Sequence, residues 1–243
     1  MAKVEKAIEE LRVPAATAPM TPWRRYRASI FQAYLSGAVV VFLAMAILAK
    51  TAAYFTFDVT ITHAVQSWHG AWFAWLMGAL TWLGFAPQTY VISVGVIVFL
   101  FLRGLKWETA VTSASLVGSE SLDLGVKTLV DRPRPSVDLV HVVNQLKDYS
   151  FPSGHVMYFT TFVGFLLFLT FALIKPSWWR TLLLVLLGGM VALIGLSRIY
   201  EGQHWASDVI AAYLLGSIWL SLTIVIYRWG KSRYFVKPKE PRS

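Results

Sequence analysis

A histidine and an aspartate stand four residues apart between two long apolar runs of the sequence. His204 and Asp208 close the stretch SRIYEGQHWASD, and a spacing of four residues puts both side chains on one face of a helix. An aspartate in that position can hold the imidazole in one tautomer and support the charge that develops on it, as a nucleophilic histidine requires. An ordinary contact on a helix surface is the alternative interpretation of such a pair.

A second histidine follows residues that favour anion binding. In the stretch PSGH, Ser153 and Gly154 stand where a helix is predicted to begin. The free backbone N–H groups and the dipole of a helix N-terminus favour a phosphate, and His155 would then lie beside the bound anion. The alternative is a plain N-cap followed by an incidental histidine.

Three cations complete the set: Lys127, Arg134 and Arg198. Guanidinium groups suit phosphate oxygens, whereas anchoring to lipid headgroups is the alternative role. Two histidines, one aspartate and three cations can together bind a phosphate, attack it and protonate a leaving group. A metal site is not predicted, because the sequence has only five histidines, no cysteine and no HExxH motif.

The elements that must position these residues are predicted to be transmembrane helices. Hydrophobic residues make up 56% of the 243 residues and charged residues only 14%, which is typical of an integral membrane protein. The apolar stretches are continuous, so we predict an all-α bundle rather than a β-barrel. Runs of roughly 20 apolar residues predict six transmembrane helices, near residues 28–49, 87–104, 107–128, 155–174, 178–198 and 205–228.

Residues 56–84 are predicted to form interfacial helices between the first and second spans. This segment mixes polar residues with four tryptophans, and tryptophan prefers the headgroup level of a bilayer. The alternative is a short seventh span over residues 71–85. The first span could also be a cleavable signal peptide, but its apolar run is longer than the usual h-region, which favours an uncleaved anchor.

The basic residues predict the orientation of the bundle. Most of the 22 lysines and arginines flank the spans on the side of the N-terminus, so the positive-inside rule predicts that both termini are cytoplasmic. The predicted parts are a cytoplasmic N-terminal tail over 1–27, a six-span domain over 28–230 and a basic cytoplasmic C-terminal tail over 231–243. The candidate site then falls on the extracytoplasmic face. Because the net charge of +9 lies in short flanks between spans, nucleic-acid binding is not expected.

The three polar motifs resemble those of the type 2 phosphatidic acid phosphatase superfamily, which also includes vanadium haloperoxidases and glucose-6-phosphatase. The resemblance covers about residues 28 to 230 of the sequence. The matching positions are, in order, Lys127 and, after six residues, Arg134-Pro135; then Pro152-Ser153-Gly154-His155; then Ser197-Arg198, followed after five residues by His204 and after three more by Asp208.

The resemblance implies metal-independent hydrolysis of a phosphate ester or pyrophosphate through a phosphohistidine, with no cofactor. Carried over by position, His204 is the nucleophile and Asp208 its partner. His155 is the general acid for the leaving group and then the base that activates water. The groups that would bind the phosphate are Lys127, Arg134, Ser153, Gly154 and Arg198.

Three further acids stand near these motifs. Asp123 precedes Lys127 by four residues, in the order that favours a helical ion pair, so Asp123 is predicted to position the lysine; simple neutralisation inside the bundle is the alternative. Glu120 is an acid within a predicted span, where a functional role is the default, either in a groove through which the lipid reaches the site or in a pair within the bundle. Glu201 either contacts the substrate headgroup or faces water, and the sequence favours neither.

The sequence therefore predicts an enzyme that removes phosphate from a membrane lipid at the outer leaflet of a prokaryotic plasma (inner) membrane. Undecaprenyl pyrophosphate, phosphatidylglycerophosphate and phosphatidic acid are close candidates for the substrate, and the sequence leaves the oligomeric state open. Transfer of the phosphate from the same phosphohistidine to a lipid is the alternative activity. A lipid transporter is a third interpretation, against which stands the lack of an inverted repeat.

Overall fold

The computed structural model describes residues 22–234, and over this range the chain is helical, with no β-strand. Its helices are α1 Pro22–Thr51, α2 Thr56–Gln66, α3 Ala71–Leu83, α4 Ala86–Leu102, α5 Lys106–Val130, α6 Gly154–Leu173, α7 Trp178–Tyr200 and α8 Ala206–Tyr234. The predicted all-α class is therefore confirmed. The predicted tails, residues 1–27 and 231–243, lie mostly outside the described range.

Four of these helices are long and apolar enough to cross a membrane alone: α1, α6, α7 and α8. A fifth candidate is the pair of α3 and α4, which pass the same test together but meet at an angle of 64°. The protein is thus a multi-pass membrane protein with four or five candidate spans by length and composition. The count of six spans and the interfacial placement of residues 56–84 remain predictions.

Helix α5 has the length of a span but carries a polar stripe on its buried side. The buried residues of this polar stripe are, in order, Glu108, Thr112, Ser115, Ser119, Asp123 and Lys127. The other side of the helix exposes the apolar residues Val117, Leu124 and Leu129, together with the polar residues Glu120, Ser121 and Thr128. Neighbouring helices satisfy the polar stripe, for example through a hydrogen bond of 2.9 Å between the hydroxyls of Ser115 and Thr223. Helix α5 therefore turns its polar stripe to the bundle, where most of its buried polar residues find partners.

Helix α6 lies at the centre of the bundle. Its apolar window is 61% buried, against 11% for α1, and it contacts α5, α7 and α8. A helix that is apolar all round is typical of such a position. Because α6 begins at Gly154, its central place brings Ser153 and His155 to the middle of one end of the bundle.

The segment between α5 and α6 is irregular and carries two arginines. Helix α5 is followed by Asp131 in the left-handed conformation, with φ of 57°, which aspartate tolerates better than most residues. Pro133 and Pro135 lack the N–H that a helix needs and disfavour a helical residue before them. Arg132 and Arg134 therefore lie in irregular backbone beyond the helix rather than on its continuation.

Close packing of α7 against α8 depends on Gly195. A Cβ atom at this position would lie 2.6 Å from Val209 Cγ1 and 2.7 Å from Tyr213 Cε2. The backbone N–H of Gly195 also donates to the Tyr213 hydroxyl over 3.1 Å. The two helices therefore approach so closely that any larger residue must displace one of them or the tyrosine ring.

We expect Gly195→Ala to lower the thermal stability of the detergent-solubilised protein, because overpacking of this kind costs about 1–3 kcal/mol. The measurement is the apparent Tm from a fluorescence-based unfolding assay. Gly189→Ala is the matched control on the same helix, since no described atom lies within 4 Å of an added Cβ there. This control should keep or raise the Tm, and equal Tm values for the two variants would contradict the packing argument.

Candidate active site

The residues predicted to form the site come together at one end of the bundle. Ser153, Arg198, His204 and Asp208 are all buried, each with 1% or less of its surface exposed. The start of α6 supplies Ser153 as the residue before it, the end of α7 supplies Arg198, and His204 and Asp208 stand at the turn into α8. Lys127 is added from the end of α5. Because each group stands at a helix end, the packing of the whole bundle sets the geometry of the site.

The hydrogen bonds of His204 define its tautomer. Its Nδ1 lies 2.8 Å from the Ser150 carbonyl oxygen, and its Nε2 lies 3.0 Å from Nη1 of Arg134. A carbonyl can only accept and a guanidinium can only donate, so Nδ1 carries the proton and Nε2 carries the lone pair. Burial, together with the neighbouring Arg134, holds the pKa of His204 well below its usual range. The imidazole is therefore neutral, with its lone pair on Nε2.

Asp208 lies behind this histidine and uses both carboxylate oxygens. Oδ1 accepts from Arg132 Nη1 over 2.5 Å, and Oδ2 accepts from the Ser150 hydroxyl and from the backbone N–H of Trp205. The distance from Oδ2 to His204 Nδ1 is 3.7 Å. Asp208 is thus beside the imidazole, but Ser150 makes the direct hydrogen bond to it.

The predicted cations are each held by a named partner. Arg134 forms a fork with the carboxylate of Asp148, with two contacts of 2.9 Å from Nη2, and donates to the Gln203 carbonyl oxygen over 2.7 Å. Arg198 donates to the side-chain oxygen of Gln203 and, over 3.3 Å, to the Thr81 hydroxyl. Gln203, the residue before His204, therefore accepts a hydrogen bond from each of the two guanidinium groups.

Lys127 lies against the start of α6. Its Nζ donates to Asp123 Oδ2 over 2.5 Å, so the ion pair expected from the spacing is present. A Cβ atom on Gly154 would lie 2.9 Å from this Nζ. Glycine at that position is what lets the ammonium group lie close to the N-terminus of α6, where backbone N–H groups favour an anion.

His155 lies between aromatic and glycine neighbours. Its ring meets the ring of Phe85 edge-on at 5.2 Å between centroids. A Cβ atom on Gly84 would overlap the imidazole, so the bend between α3 and α4 packs directly on it. His155 and Gly154 also line a cavity of about 290 Å³ that extends between α4 and α5 past Glu120.

Several buried polar atoms of the site lack a hydrogen-bond partner within residues 22–234. They are Ser153 Oγ, His155 Nε2, Arg198 Nε and Gln203 Nε2. Buried polar groups are nearly always paired, and a cluster of unpaired ones is therefore unusual. An oxyanion could accept hydrogen bonds from each of these atoms, because all four can carry a proton.

Two of the acids singled out in the sequence, Glu120 and Glu201, occupy different environments. Glu120 lines the cavity described above. Glu201 caps the end of α7 and is only 6% exposed. Burial raises the pKa of Glu201 against the opposing effect of Arg198.

Sequence reasoning missed a group of residues that support the site: Asp58, Thr81, Arg132, Asp148, Ser150 and Gln203. Two of these had a visible signal. Arg132 stands within the motif segment RPRP, and Gln203 directly precedes His204. The others come from distant or irregular segments, where spacing gives no indication of contact.

Comparison with known proteins identifies relatives of the chain. A sequence model of the PAP2 superfamily matches residues 108–232. The chain is 40% identical over 78 residues to an undecaprenyl-diphosphatase of Sulfolobus acidocaldarius, a match that covers 32% of this chain and only 33% of that relative. It is 27% identical over 180 residues to phosphatidylglycerophosphatase B of Bacillus subtilis, covering 72% of this chain and 85% of the relative.

A solved structure shares the fold. The transmembrane PAP2-type phosphatidylglycerolphosphate phosphatase of Bacillus subtilis superposes with a TM-score of 0.70 at 23% identity, over 83% of this chain and 98% of that chain. The family match extends over half of this sequence and includes all three polar motifs. The chain therefore belongs to the PAP2 superfamily, the type 2 phosphatidic acid phosphatase superfamily that its motifs resemble.

Proposed function

We propose that the protein is an integral membrane lipid phosphatase that hydrolyses a lipid phosphate monoester or pyrophosphate through a phosphohistidine on His204. The observation that carries the proposal is the state of this histidine. Its Nε2 lone pair faces Arg134, and unpaired polar atoms of Ser153, His155 and Arg198 lie in the same cluster. A neutral nucleophile is suited to attack a phosphate when the hydrogen-bond donors around it are still without an acceptor.

In the first step, the Nε2 lone pair of His204 attacks the phosphorus and the bond from phosphorus to the leaving oxygen breaks. His155, which must begin this step protonated, donates a proton to that oxygen and becomes neutral. Arg134, Arg198 and Lys127 stabilise the charge on the phosphate oxygens. The Ser150 carbonyl oxygen accepts a hydrogen bond from Nδ1–H of His204 and, together with the nearby carboxylate of Asp208, stabilises the positive charge on the ring.

In the second step, His155 takes a proton from a water molecule, which attacks the phosphorus of the phosphohistidine. The bond from phosphorus to nitrogen breaks, its electrons return to Nε2 of His204, and inorganic phosphate is released. His155 is therefore the general acid in the first step and the general base in the second. A lipid hydroxyl or phosphate in place of the water would give phosphotransfer.

The substrate headgroup would lie among the cations, and its chain would leave through the cavity between α4 and α5. That cavity is lined by Thr89, Tyr90 and Leu116 as well as by His155, so it joins the phosphate site to apolar helix surfaces. Phosphatidic acid, phosphatidylglycerophosphate and undecaprenyl pyrophosphate fit this arrangement. The names of two relatives, an undecaprenyl-diphosphatase and a phosphatidylglycerophosphatase, support the last two.

We place the protein in the plasma (inner) membrane with both termini in the cytoplasm and the site on the extracytoplasmic face. The distribution of basic residues supports this orientation. The length of α5, 25 residues, and its exposed apolar residues support counting it as a span despite its polar stripe, which makes six spans with α4 within the domain over residues 28–230. The bend between α3 and α4 is compatible with α3 near the interface.

We expect purified protein in detergent with EDTA to release phosphate from at least one of these three lipids, and His204→Ala to lower the rate by about 10³-fold or more, because the nucleophile is lost. The measurement is released inorganic phosphate across the lipid panel. His69→Ala removes an exposed histidine between α2 and α3 and is the matched control, with full activity expected.

Two outcomes would contradict this proposal. Equal rates for the parent and His204→Ala would exclude this histidine as the nucleophile. Radiolabelled phosphate that moves from the substrate to a lipid acceptor rather than to water would identify the enzyme as a phosphotransferase.

We further expect Asp123→Asn to raise KM about tenfold, because the ammonium of Lys127 loses the carboxylate that holds it against α6.

Glu120→Gln should change the relative rates among the three lipids, because this acid lines the cavity for the lipid. Ser121→Ala, which removes an exposed hydroxyl that donates within α5 to the Val117 carbonyl oxygen, is the control and should alter neither KM nor these relative rates. Unchanged kinetics and lipid preference in both acid variants would contradict these roles.

A further inference from the structure

Three charged groups form a buried network behind the nucleophile. Arg132 lies between two carboxylates, with Nη2 3.0 Å from Asp58 Oδ2 and Nη1 2.5 Å from Asp208 Oδ1. None of the three residues has any exposed surface. A buried charge is stable only beside a partner of opposite charge, so the three side chains fix one another's positions.

Asp58 belongs to none of the three motifs and lies outside the family match to residues 108–232. It stands in the first turn of α2 and accepts from the backbone N–H of Phe55 over 3.0 Å. Ser207 donates to it twice, from the backbone N–H to Oδ1 and from the hydroxyl to Oδ2, each over 2.8 Å. With Arg132 added, the carboxylate has four donors and joins α2 to the residue before Asp208.

Arg132 is held on its other sides by the segment between α1 and α2. Its Nε donates to the carbonyl oxygens of Ala52 and Ala53 over 3.3 and 3.2 Å, and its guanidinium carbon lies 5.0 Å from the centre of the Phe55 ring. The guanidinium therefore has one defined position, and Asp58 is its ion-pair partner on α2.

The network reaches the nucleophile through Ser150. Asp208 accepts from the Ser150 hydroxyl, the backbone N–H of Ser150 donates to the Arg132 carbonyl oxygen over 2.8 Å, and the Ser150 carbonyl accepts from His204 Nδ1. Arg132 thus contacts both Asp208 and Ser150, which are the groups that orient the imidazole. A shift of the guanidinium would move Asp208 directly and the Ser150 hydroxyl through Asp208.

We propose that Asp58 is a positioning residue for the nucleophile, which acts through Arg132 to hold Asp208 and Ser150 and thereby aims Nε2 of His204 at the phosphorus. The proposal rests on the proposed phosphatase function. Asp58 does not contact the phosphate-binding groups Lys127, Arg134 or Arg198 in the structure. Its loss should therefore affect the attack on phosphorus and leave phosphate binding intact.

The test compares Asp58→Asn with the parent protein in detergent, per mole of folded protein as measured by size exclusion and thermal unfolding. We expect kcat to fall roughly 10- to 100-fold, as for a small displacement of a reacting group, while KM stays within about twofold. Asparagine removes the charge that pairs with Arg132, and because both carboxylate oxygens of Asp58 accept hydrogen bonds, its NH2 group must face one of the present donors. Glu108→Gln is the matched control, because Glu108 is equally buried and paired with Lys231 over 2.7 Å but lies at the other end of α5. It should lower the Tm without changing kcat.

A second comparison tests whether Arg132 transmits the effect. If it does, adding Asp58→Asn to an Arg132→Gln protein should cost much less in kcat than adding it to the parent, because the pathway is already broken. Equal costs in the two backgrounds would overturn the proposal. So would a folded Asp58→Asn protein with unchanged kcat, or one in which only KM rises.

If Asp58→Asn fails to fold, Ser207→Ala provides a second test of the proposal. This variant removes one hydroxyl that donates to Asp58 and accepts from Arg132 over 2.7 Å but keeps all three charges. A several-fold loss of kcat with KM unchanged would support the proposal, and an unchanged kcat would overturn it.

A binding measurement separates this proposal from the proposed function. Orthovanadate can take Nε2 as a fifth ligand and so resembles the transition state, whereas inorganic phosphate needs only the cations. Loss of Asp58, or of the Ser207 hydroxyl, should weaken vanadate binding about tenfold and leave phosphate binding within about twofold. Parent protein that releases phosphate from no lipid would contradict the phosphatase function alone. Equal vanadate binding by parent and variant would overturn the role of Asp58 alone.

Discussion

The burial of Arg132 is the constraint on which the rest of the site depends. A guanidinium with no exposed surface is stable in a helical bundle only if acceptors surround it. Those acceptors come from the end of α1, from Asp58 on α2 and from Asp208 on α8. Satisfying one charge therefore fixes three helices relative to the loop that also carries Arg134. The cost of leaving this charge unpaired keeps these elements together, and the nucleophile gains its orientation from the same contacts.

The polar atoms around His204 fall into two groups that differ in how far they are satisfied. Behind the imidazole, Asp58, Arg132 and Asp208 have their charges paired and hydrogen-bonded. In front of it, Ser153 Oγ and Arg198 Nε have no partner within residues 22–234. This asymmetry is what electrostatic preorganisation requires, since the rear of the site resists reorganisation while the front holds donors for charge that develops on the phosphate. A site satisfied on both sides would have to break hydrogen bonds before it could bind an anion.

Local patterns in the sequence were sufficient for the helices and for the motif residues. The predicted spans over 155–174 and 178–198 lie within two residues of α6 and α7 at each end, because continuous apolar runs and polar breaks both act within one helix. The ion pair of Asp123 and Lys127 was accessible for the same reason, since residues four apart on a helix are neighbours.

The residues that support His204 could not be predicted from local patterns. Asp58 is 74 residues from Arg132 and 149 residues from Ser207, and hydropathy and spacing carry no information about pairs so far apart. The contact between Thr81 and Arg198, separated by 117 residues, was missed for the same reason. Tryptophan-rich composition predicted an interfacial position for α3, but gave no sign that the hydroxyl of Thr81 on this helix contacts the buried Arg198.

The polar stripe of α5 shows how a membrane bundle can carry charged groups to such a site. Lower on the helix, Ser115 and Ser119 are paired with neighbouring helices through hydroxyl hydrogen bonds, so the stripe is held toward the bundle interior and the apolar side faces outward. Asp123 and Lys127 continue the same stripe by one and two turns. Once the hydroxyls have set the rotation of α5, Lys127 has to point at the start of α6 rather than at lipid. The inward direction of Lys127 is therefore determined by residues one to three turns away on the same helix, and the low hydropathy of α5 follows from the polar residues that hold this orientation.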